Sequence, residues 1–507
     1  MFYSVQRKKL CRHLLVGGAL CAAGFGVFSC SDTYDLDTEQ PGGLNSIYGY
    51  LEDQGNYTNT LQLIKDLGQA EILSKTGSKT MFVADDDAFA EFFKSNPWGV
   101  KSYGELTYTQ KRLLLNSAMI DNPFSTSMLS TAEGPAKGEV CRRSSSLTLY
   151  DSVLVVDTKS ALADEILPNN SFFAEKRSNR DTLVLYTDAS NAAPLVHFTY
   201  KFLAGNKLQS SDVDFLYNQP AGTRGNDDVY VNQAKVTEQN IFCKNGFIHK
   251  VDRVITPLDN MAEIIRKDDE VSIFSGILER FADAYTTPSI TDAYNNVKGT
   301  DYDSVFVKRY FSDRSAGSSR ESDVAYPQTS DVTAGYAHNF DAALKFDPGW
   351  NTYYTQSAPM MQDMAVMLVP TDEAVNEWWN NGDGAVIKDY YGTIENTPNS
   401  TLDDLVRVNQ QFNLTKALPS RFEEVLDDAN EPLGITIDDV KEVIIGCNGM
   451  VYKTNKVFAP KSYSSVLFPA VVDTTNFNII KTAIDELDYD KYLNSMVSKY
   501  IFLLPTN

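Results

Sequence analysis

The sequence predicts an α+β fold built from repeated units. Three observations support it: a strand that runs into a helix, a hairpin that carries an Asn-Gly pair, and an amphipathic helix that precedes the strand-to-helix element all recur along the chain. Of the 507 residues, 43% are hydrophobic and 11% are aromatic, so apolar cores can hold several such units together.

The strand-to-helix element covers residues 81–89, returns at 367–375, and starts again at 502–507. Each copy is a short apolar run, and the two complete copies continue into a helix-favouring stretch. Asp85 and Thr371 stand at the junction, where a side-chain oxygen can accept hydrogen bonds from the first helical amides. We therefore expect a buried strand that leads into a capped helix.

The hairpin element covers residues 245–254 and 448–457, and each copy begins with Asn-Gly. Asn and Gly both tolerate positive φ, so the pair favours a tight turn between two strands. An alternating strand follows in each copy and ends before Pro257 or Pro460. The element predicts a β-hairpin in each unit.

Apolar residues three or four positions apart predict a core-facing helix ahead of each strand-to-helix element. The three stripes contain Leu61, Ile64 and Leu67; Ile273, Phe274, Ile277, Leu278 and Phe281; and Phe477, Ile480, Ile484 and Leu487.

These elements resemble the fasciclin, or FAS1, domain family. The family's first box, a strand followed by Pro-Thr-Asp-x-Ala-Phe, is similar to residues 84–89 and 370–375. Its last box, Asn-Gly-Val-Ile-His-x-Ile-Asp, is similar to residues 245–252, and residues 229–236 look like the strand pair before it. The resemblance covers most of residues 44–507.

The resemblance implies that each unit is a mixed β-sandwich or wedge with packed helices, and that the general role is extracellular binding. It assigns structural box positions to Asp85, Phe89, Thr371, Asp372, Asn245, Gly246, His249, Asp252, Asn448 and Gly449. The Tyr-His and Asp-Ile pairs linked to integrin adhesion in animal members are not matched, since the corresponding pairs are Asn116-Ser117, Asn409-Gln410 and Asn240-Ile241. Integrin-type recognition is therefore not expected.

The spacing of the boxes predicts the domain organisation. The first box lies much farther from its closing Asn-Gly in the first copy than in the second. The predicted segments are a leader at 1–29, a tether at 30–43, a first unit at 44–262 with an insertion at about 125–228, a second unit at 263–466 with an insertion at about 285–362, and the start of a truncated third unit at 467–507. Residues 313–335 read as a loop, and an unusual cap is the alternative for the last forty residues.

The leader predicts export. A positively charged start precedes an uncharged, mostly apolar run at 14–28 that is too short for a stable transmembrane helix. The run ends in Val27-Phe28-Ser29-Cys30, which resembles a bacterial lipobox and predicts lipidation of Cys30. The acidic stretch at 31–39 resembles a surface-export tag, so we expect an outer-membrane lipoprotein exposed at the cell surface. An ordinary signal peptide with a chance cysteine, and a polar tether without an address, are the alternatives.

Charge and cysteine content exclude several classes of protein. The net charge is −22, and removal of the leader's four basic residues leaves 41 minus 67, or −26. Such a charge repels nucleic acid and anionic lipid, so the lipid anchor is the only membrane contact expected. Cys141, Cys243 and Cys447 are the cysteines that remain after lipidation, and they show no disulfide or metal spacing. Cys243 and Cys447 are expected to be small buried residues.

No enzyme motif stands out. The mature chain has three histidines in separate regions, His197, His249 and His338, and no nucleophile elbow, phosphate loop or dinucleotide fingerprint occurs. We expect no catalytic residue, cofactor or metal. His249 is interpreted as a hydrogen-bonded core residue, and Asp427, Asp428 and Glu431 as a solvated acidic face.

The predicted function is that of a surface-anchored binding or adhesion lipoprotein whose partner is an extracellular protein or polysaccharide. A structural, organising component of the envelope without a soluble ligand is the alternative, and a hydrolase within the insertions is a weaker one. The insertions are the expected place for a specific site, because loops on a rigid scaffold commonly carry recognition. In the pair Trp378-Trp379, one side chain is expected in the core and the other could be exposed.

Overall fold

The structure is a computed structural model that describes residues 44–75, 77–131, 139–147, 154–186, 194–286, 288–312, 344–349, 364–495 and 499–507. The predicted leader, the lipidation site Cys30, the rest of the predicted tether and the predicted loop at 313–335 lie outside these residues, as does His338. The chain divides into two units, Met1–Asn45 and Ser46–Asn507, and the described helices and strands belong to the second.

The strands in chain order are β1 (Lys79–Ala84), β2 (Met119–Ile120), β3 (Arg142–Ser144), β4 (Leu154–Asp157), β5 (Thr182–Tyr186), β6 (Pro194–Phe198), β7 (Tyr230–Val231), β8 (Ala234–Cys243), β9 (Gly246–Val251), β10 (Ala282–Tyr285), β11 (Val305–Tyr310), β12 (Ala365–Pro370), β13 (Gln410–Gln411), β14 (Val440–Ile445) and β15 (Gly449–Thr454).

The α-helices are α1 (Ile47–Gln54), α2 (Thr58–Asp66), α3 (Ala70–Lys75), α4 (Asp86–Lys94), α5 (Tyr108–Ser117), α6 (Thr126–Leu129), α7 (Ala161–Ile166), α8 (Ser171–Ser178), α9 (Tyr200–Asn206), α10 (Ser210–Leu216), α11 (Met261–Lys267), α12 (Ser272–Glu279), α13 (Pro288–Lys298), α14 (Asp372–Asn381), α15 (Ala385–Tyr391), α16 (Asn399–Val408), α17 (Phe468–Val472), α18 (Thr474–Glu486) and α19 (Asp490–Asn494). Within the described ranges, no helix combines the length and the apolar character needed to cross a bilayer.

Sheet 1 has the strand order β2-β1-β9-β8-β7-β6-β3. Near one edge of this sheet, β1 and β9 are parallel, and Lys79 lies opposite Gly246. The predicted hairpin is the antiparallel pair β8 and β9. The strand pair expected at 229–236 is β7 and the start of β8, joined by a turn in which Asn232 has a φ of 48°. The fold is α+β, as the sequence predicts.

Sheet 2 repeats the arrangement of four strands of sheet 1, counted from the β2 edge. Its order is β13-β12-β15-β14, which repeats the arrangement of β2, β1, β9 and β8. The parallel pair β12 and β15 has the same register, with Ala365 opposite Gly449. Two stretches of sequence with similar boxes therefore form the same four-stranded motif.

Sheet 3 was not predicted, and its order is β10-β11-β5-β4. Strand β5 pairs in parallel with β11, so that Val184 lies opposite Val305. Strands β4 and β5 come from the predicted insertion at 125–228, and β11 comes from the predicted insertion at 285–362. The two insertions therefore meet in one sheet.

Both faces of sheet 2 pack against the segment 125–228. On one face, Phe173, Leu183 and Leu185 share a core with Met367 and Val451 of sheet 2. On the other face, a second core joins residues of β6, α9 and α10 to residues of β12, β14 and β15. Two other cores contain only residues 47–255 of the first repeat. The segment 125–228 therefore joins the repeats, and the predicted boundary between units at 262 and 263 stays a prediction.

The segment predicted to begin a third unit does not form a sheet. Among the described residues 499–507 none is in a strand, and Ile501 and Leu503 are exposed. The prediction of a buried strand is wrong for this segment, because no partner strand is hydrogen-bonded to it. Leu487, expected on the core face of the third helix, is also exposed, since α18 ends at Glu486.

The interpretation of Asp427 and Asp428 as part of a solvated acidic face is corrected. Asp427 is buried and accepts hydrogen bonds from the amides of Ala429 and Glu431, so it folds its own loop and is not part of a solvated face. Asp428 likewise accepts the amides of two later residues, Lys461 and Ser462, and burial raises its pKa to about 6.

The tryptophan and cysteine expectations have mixed outcomes. Trp378 and Trp379 are both buried, so neither offers the exposed platform that the pair could have provided. Cys243 and Cys447 are buried free thiols, as predicted, and Cys141 is buried too.

Candidate functional site

Two aspartates of the first box accept hydrogen bonds from the N-terminal amides of two helices, α4 and α2. The side chain of Asp85 accepts a hydrogen bond from the Ala88 amide at 2.9 Å and caps its own helix, α4, as predicted. The next residue, Asp86, accepts the amides of Thr58 and Asn59, each at 3.0 Å, and so caps α2. Phe89, one turn into α4, is buried in the core beneath.

The second repeat uses the same device. Thr371 accepts the Ala374 amide at 3.3 Å and caps α14. Asp372 accepts the Ile273 amide at 2.8 Å and the Ser272 hydroxyl, both at the start of α12. Adjacent residues thus join the strand-to-helix element to the amphipathic helix that precedes it.

The Asn-Gly pairs act differently from the prediction. Neither Asn has positive φ, and in the first repeat the expected tight turn consists of Lys244 and Asn245, between the paired residues Cys243 and Gly246. The side chain of Asn245 accepts the Ile47 amide at 2.8 Å and donates to the carbonyl of Leu73 at 2.9 Å. Gly246 is required by close approach: a Cβ there would lie 1.9 Å from the carbonyl oxygen of Lys79 in β1.

The second Asn-Gly pair repeats these contacts. Asn448 accepts the Met261 amide at 3.0 Å and donates to Pro348 at 2.7 Å. A Cβ on Gly449 would lie 2.6 Å from the carbonyl oxygen of Ala365 in β12. In both repeats the asparagine ties the hairpin to the first residue of a helix.

His249 is a core residue, as predicted. Its Nε2 donates to the carbonyl of Phe124 at 2.9 Å, and its Nδ1 accepts the Asn240 amide at 3.1 Å, which corresponds to the neutral ring. Burial lowers the pKa of His249 to about 4, against the effect of the bond to Phe124. Asp252 accepts the Lys235 amide at 2.8 Å at the other end of the same hairpin.

The box positions are therefore spread through two repeats and serve the fold. None of their contacts converges on a common cavity. Within the described part of the chain, no group of three or more His, Cys, Asp or Glu side chains could hold a metal ion. His197 lies on β6, where its ring is buried and burial lowers its pKa to about 3.

A cavity that the sequence did not predict lies beside sheet 3, and we call it the polar cleft. It has a volume of about 270 Å³ and is formed where the segment 165–169 meets α11, α12 and the turn between them. Its lining residues are Glu165, Ile166, Leu167, Pro168, Asn169, Arg266, Asp268, Asp269, Ser272, Ser275, Gly276, Glu279 and Arg280. Polar and charged side chains of both signs predominate, and no aromatic, histidine or cysteine residue lines it.

A buried charge cluster supports the wall of the polar cleft. Lys308 is 2% exposed and donates to Glu279 at 2.9 Å, and Tyr310 donates to the same carboxylate at 2.6 Å. Glu263 accepts two hydrogen bonds from the guanidinium of Arg266, at 3.0 and 2.7 Å. Desolvation raises the pKa of Glu263, but the positive charges of Lys308 and Arg266 lower it by a larger amount. The pKa of Glu263 is therefore below its usual value. Two cations and two anions compensate each other.

Arg280 adds a positive charge that this cluster does not compensate. Its guanidinium donates to the carbonyls of Ile394 at 3.2 Å and Thr397 at 2.6 Å. Burial lowers the pKa of Arg280, and Glu395 opposes this at longer range, but an arginine stays charged at physiological pH. Among the described residues, no carboxylate forms an ion pair with it. The polar cleft therefore has a cation that is held in place by neutral groups.

The chemistry of the polar cleft suits recognition of a small polar ligand. Only one signal for it is visible in the sequence: a glycine, Gly276, occurs within the predicted helix, on the side opposite its apolar stripe. The remaining lining residues could not be found in advance, because two segments about a hundred residues apart in the chain form the opposite walls.

Comparison with known proteins finds a match to a domain family, and the matched stretch includes most of the cleft segment 165–169. The profile of the Fasciclin domain family matches residues 166–257, which confirms the resemblance for this stretch. The match includes the closing box and also residues 166–228, which the sequence assigns to an insertion; the extent of that insertion stays a prediction. No curated protein matches the chain.

Among solved structures, the chain is similar to a FAS1 domain pair from the insect cell adhesion molecule Fasciclin I. The identity is 8%, the similarity covers 82% of this chain and 97% of that chain, and the TM-score is 0.22.

Proposed function

We propose that this protein is a surface-anchored lipoprotein that binds an extracellular protein or polysaccharide through fasciclin-like units. Fasciclin domains are associated with binding and adhesion, and a fasciclin domain profile matches residues 166–257. The observation that carries the proposal is the polar cleft, which has charged and hydrogen-bonding side chains of both signs on a core shared by two repeats.

A shared core favours binding because it keeps the walls of the polar cleft in a constant relative position. The segment 165–169 comprises the end of α7 and the start of its connection to α8. These two helices pack with β4 and β5, and α12 forms the opposite wall. Pre-positioned groups lose little conformational entropy when a ligand binds, so a small contact area can give useful affinity.

The direct test is binding of the mature chain, residues 31–507, to extracellular matrix proteins and polysaccharides immobilised on a sensor surface. Removing residues 125–228 is unsuitable, because β5 lies inside a core. The double variant Glu165→Ala with Asn169→Ala changes only exposed lining residues. The matched control is Glu175→Ala with Asn179→Ala, which changes an exposed residue of α8 and the exposed residue that follows the helix.

Saturable binding that the lining variant weakens at least tenfold and the control variant leaves unchanged is the expected result. A folded chain that binds nothing on the panel would reject the proposal and favour the role of an organising envelope component.

The surface location is a separate part of the proposal, and it depends on Cys30 and the acidic residues behind it. A lipidated cysteine holds a protein at a membrane because each buried methylene contributes about 0.8 kcal/mol. In intact cells, we expect an added protease to digest the wild-type protein and Cys30→Ser to release it from the membrane fraction. Full protection from protease in intact cells would reject surface exposure.

A further inference from the structure

Gly276 lies inside α12 and lines the polar cleft. A Cβ built at this position would meet no atom within 4 Å, and the residue does not have positive φ. Glycine is therefore required neither by crowding nor by the backbone. Inside a helix, glycine is less favourable than alanine because it loses more conformational entropy on folding. The position leaves open space on the surface of the cleft.

The first repeat shows that the helix itself can carry a side chain at this position. Asp86 and Asp372 cap α2 and α12 through the amides of Asn59 and Ile273, which aligns the two helices. In this alignment, Gln62 takes the place of Gly276. Of these two aligned helices, only α12, which borders the polar cleft, has a glycine without a side chain at this position.

Arg280 follows Gly276 by four residues and so lies on the same helix face. Its bonds to the carbonyls of Ile394 and Thr397 hold the guanidinium without neutralising it. A planar guanidinium matches a carboxylate in two parallel hydrogen bonds, which makes a carboxylate its natural ligand. Asn169 and Ser275 also line the cleft, and an uncharged amide or hydroxyl can exchange hydrogen bonds with the hydroxyls of a ligand.

We infer that the polar cleft binds one acidic sugar unit of an extracellular polysaccharide, with the carboxylate at Arg280, the hydroxyls at Asn169 and Ser275, and the ring over Gly276. The inference rests on the proposed function and names the ligand class of the same site. The volume of about 270 Å³ limits the occupant to a single small unit, since drug-sized ligands use pockets of roughly 300–1,000 Å³.

The net charge of the whole chain has little effect at physiological salt, because surface charges act over about 8 Å at 0.15 M ionic strength. Within the cleft, Asp268 and Glu279 are paired with Lys453 and Lys308, whereas Glu165 and Asp269 add negative charge that the hydrogen bonds from Arg280 to an acidic ligand must outweigh. At low salt the same charge repels an acidic polymer. Affinity is therefore expected to rise, or stay level, between 20 and 150 mM salt, unlike a contact made by exposed lysines.

The test uses the mature chain and measures the affinity for glucuronic acid and galacturonic acid, with glucose as the neutral control and glutamate as a carboxylate without sugar hydroxyls. Gly276→Leu fills the open space with a residue that favours a helix, so it should abolish uronate binding without lowering the melting temperature. Gly104→Leu, at another glycine with open space and ordinary φ, is the matched control. Arg280→Lys keeps the positive charge but cannot form the two parallel hydrogen bonds of a guanidinium, so it should weaken binding at least tenfold.

Uronate binding that Gly276→Leu removes and Gly104→Leu preserves would establish the site. Undiminished binding to Gly276→Leu would overturn it, and equal binding of glucose or of glutamate would overturn the acidic sugar as the ligand. If uronates do not bind but the panel of matrix proteins and polysaccharides yields another partner, this inference fails while the proposed function stands. If neither yields binding, both fail.

Discussion

Leu185 and Phe306 lie opposite each other in the parallel strands β5 and β11, and both are buried in the core that contains Trp378 and Trp379. One residue comes from the segment at 125–228 and the other from the segment at 285–362. What the sequence presents as two separate insertions is thus one sheet, and this sheet is continuous with the core of the second repeat.

This relationship predicts that shortening a buried side chain of β5 destabilises the second repeat. Leu185→Ala should lower the free energy of unfolding by about 2–5 kcal/mol, because it leaves a cavity in a closed core. With Trp98 and Trp350 replaced by Phe, urea unfolding followed by fluorescence reports on Trp378 and Trp379 alone. Val155→Ala in the neighbouring strand β4, where the side chain is 49% exposed, should change the stability by less than about 0.5 kcal/mol. If the urea midpoint of the fluorescence transition is the same in Leu185→Ala as in wild type, the shared core is contradicted.

A buried carboxylate in sheet 3 predicts a pH dependence. Burial raises the pKa of Asp283 on β10 to about 6 from an ordinary value of 3.8. The folded state therefore holds this proton more tightly than the unfolded state, and stability from this residue is lost as the pH rises from 4 through 6. Asp283→Asn stays neutral, so its stability relative to wild type should increase by about 2 kcal/mol between pH 4 and pH 7.5, since each unit of pH between the two pKa values changes the stability by about 1.36 kcal/mol.

Thermal or urea unfolding at several pH values checks this, with the exposed Asp301→Asn as the control for the change of charge. A difference between Asp283→Asn and wild type that stays constant over this range would show that the carboxylate is solvated.

The three consecutive aspartates of the first box should differ sharply in importance. Asp86→Ala removes the acceptor for two amides of α2 and should cost about 1–2 kcal/mol at pH 7, whereas the exposed Asp87→Ala should cost less than about 0.5. Although burial raises the pKa of Asp86, the hydrogen bonds from Asn59 and Thr58 lower it below the usual value. The contribution is thus present above pH 3.8 and fades as the pH falls through the folded pKa. Equal effects of the two variants in urea titrations would argue against the second cap.

Asn448 should be among the polar residues most sensitive to substitution. Asn448→Ala leaves the buried Met261 amide without its acceptor and removes one of the two hydrogen bonds to the Pro348 carbonyl, which also accepts the Ala262 amide, so it should cost about 1–3 kcal/mol. Asn376→Ala, on the exposed face of α14, provides the control and should be close to neutral. Calorimetric melting temperatures would separate the two, and a neutral result for Asn448→Ala would mean that water replaces both bonds.

Local patterns of the sequence determined the repeating motif. The apolar runs at 81–84 and 367–369 followed by a capping residue predict strand, cap and helix, since each step depends on neighbours within a few positions. The core role of His249 and the burial of Cys243 and Cys447 were likewise predictable. The prediction for Leu487 and the last strand was wrong, because an apolar run becomes a strand only when another strand is there to pair with it.

Only the tertiary structure decided how the repeats are joined and where the candidate site lies. The pairing of Leu185 with Phe306, and the cleft between residues 165–169 and α12, join segments about a hundred residues apart, and no local pattern specifies which distant strand or loop will pack against which. The second role of Asp86 and Asp372 was hidden for the same reason, since a carboxylate that caps another helix looks identical in sequence to one that caps its own. By itself, the sequence determined the α+β repeat, whereas long-range packing decided the shared core and the polar cleft.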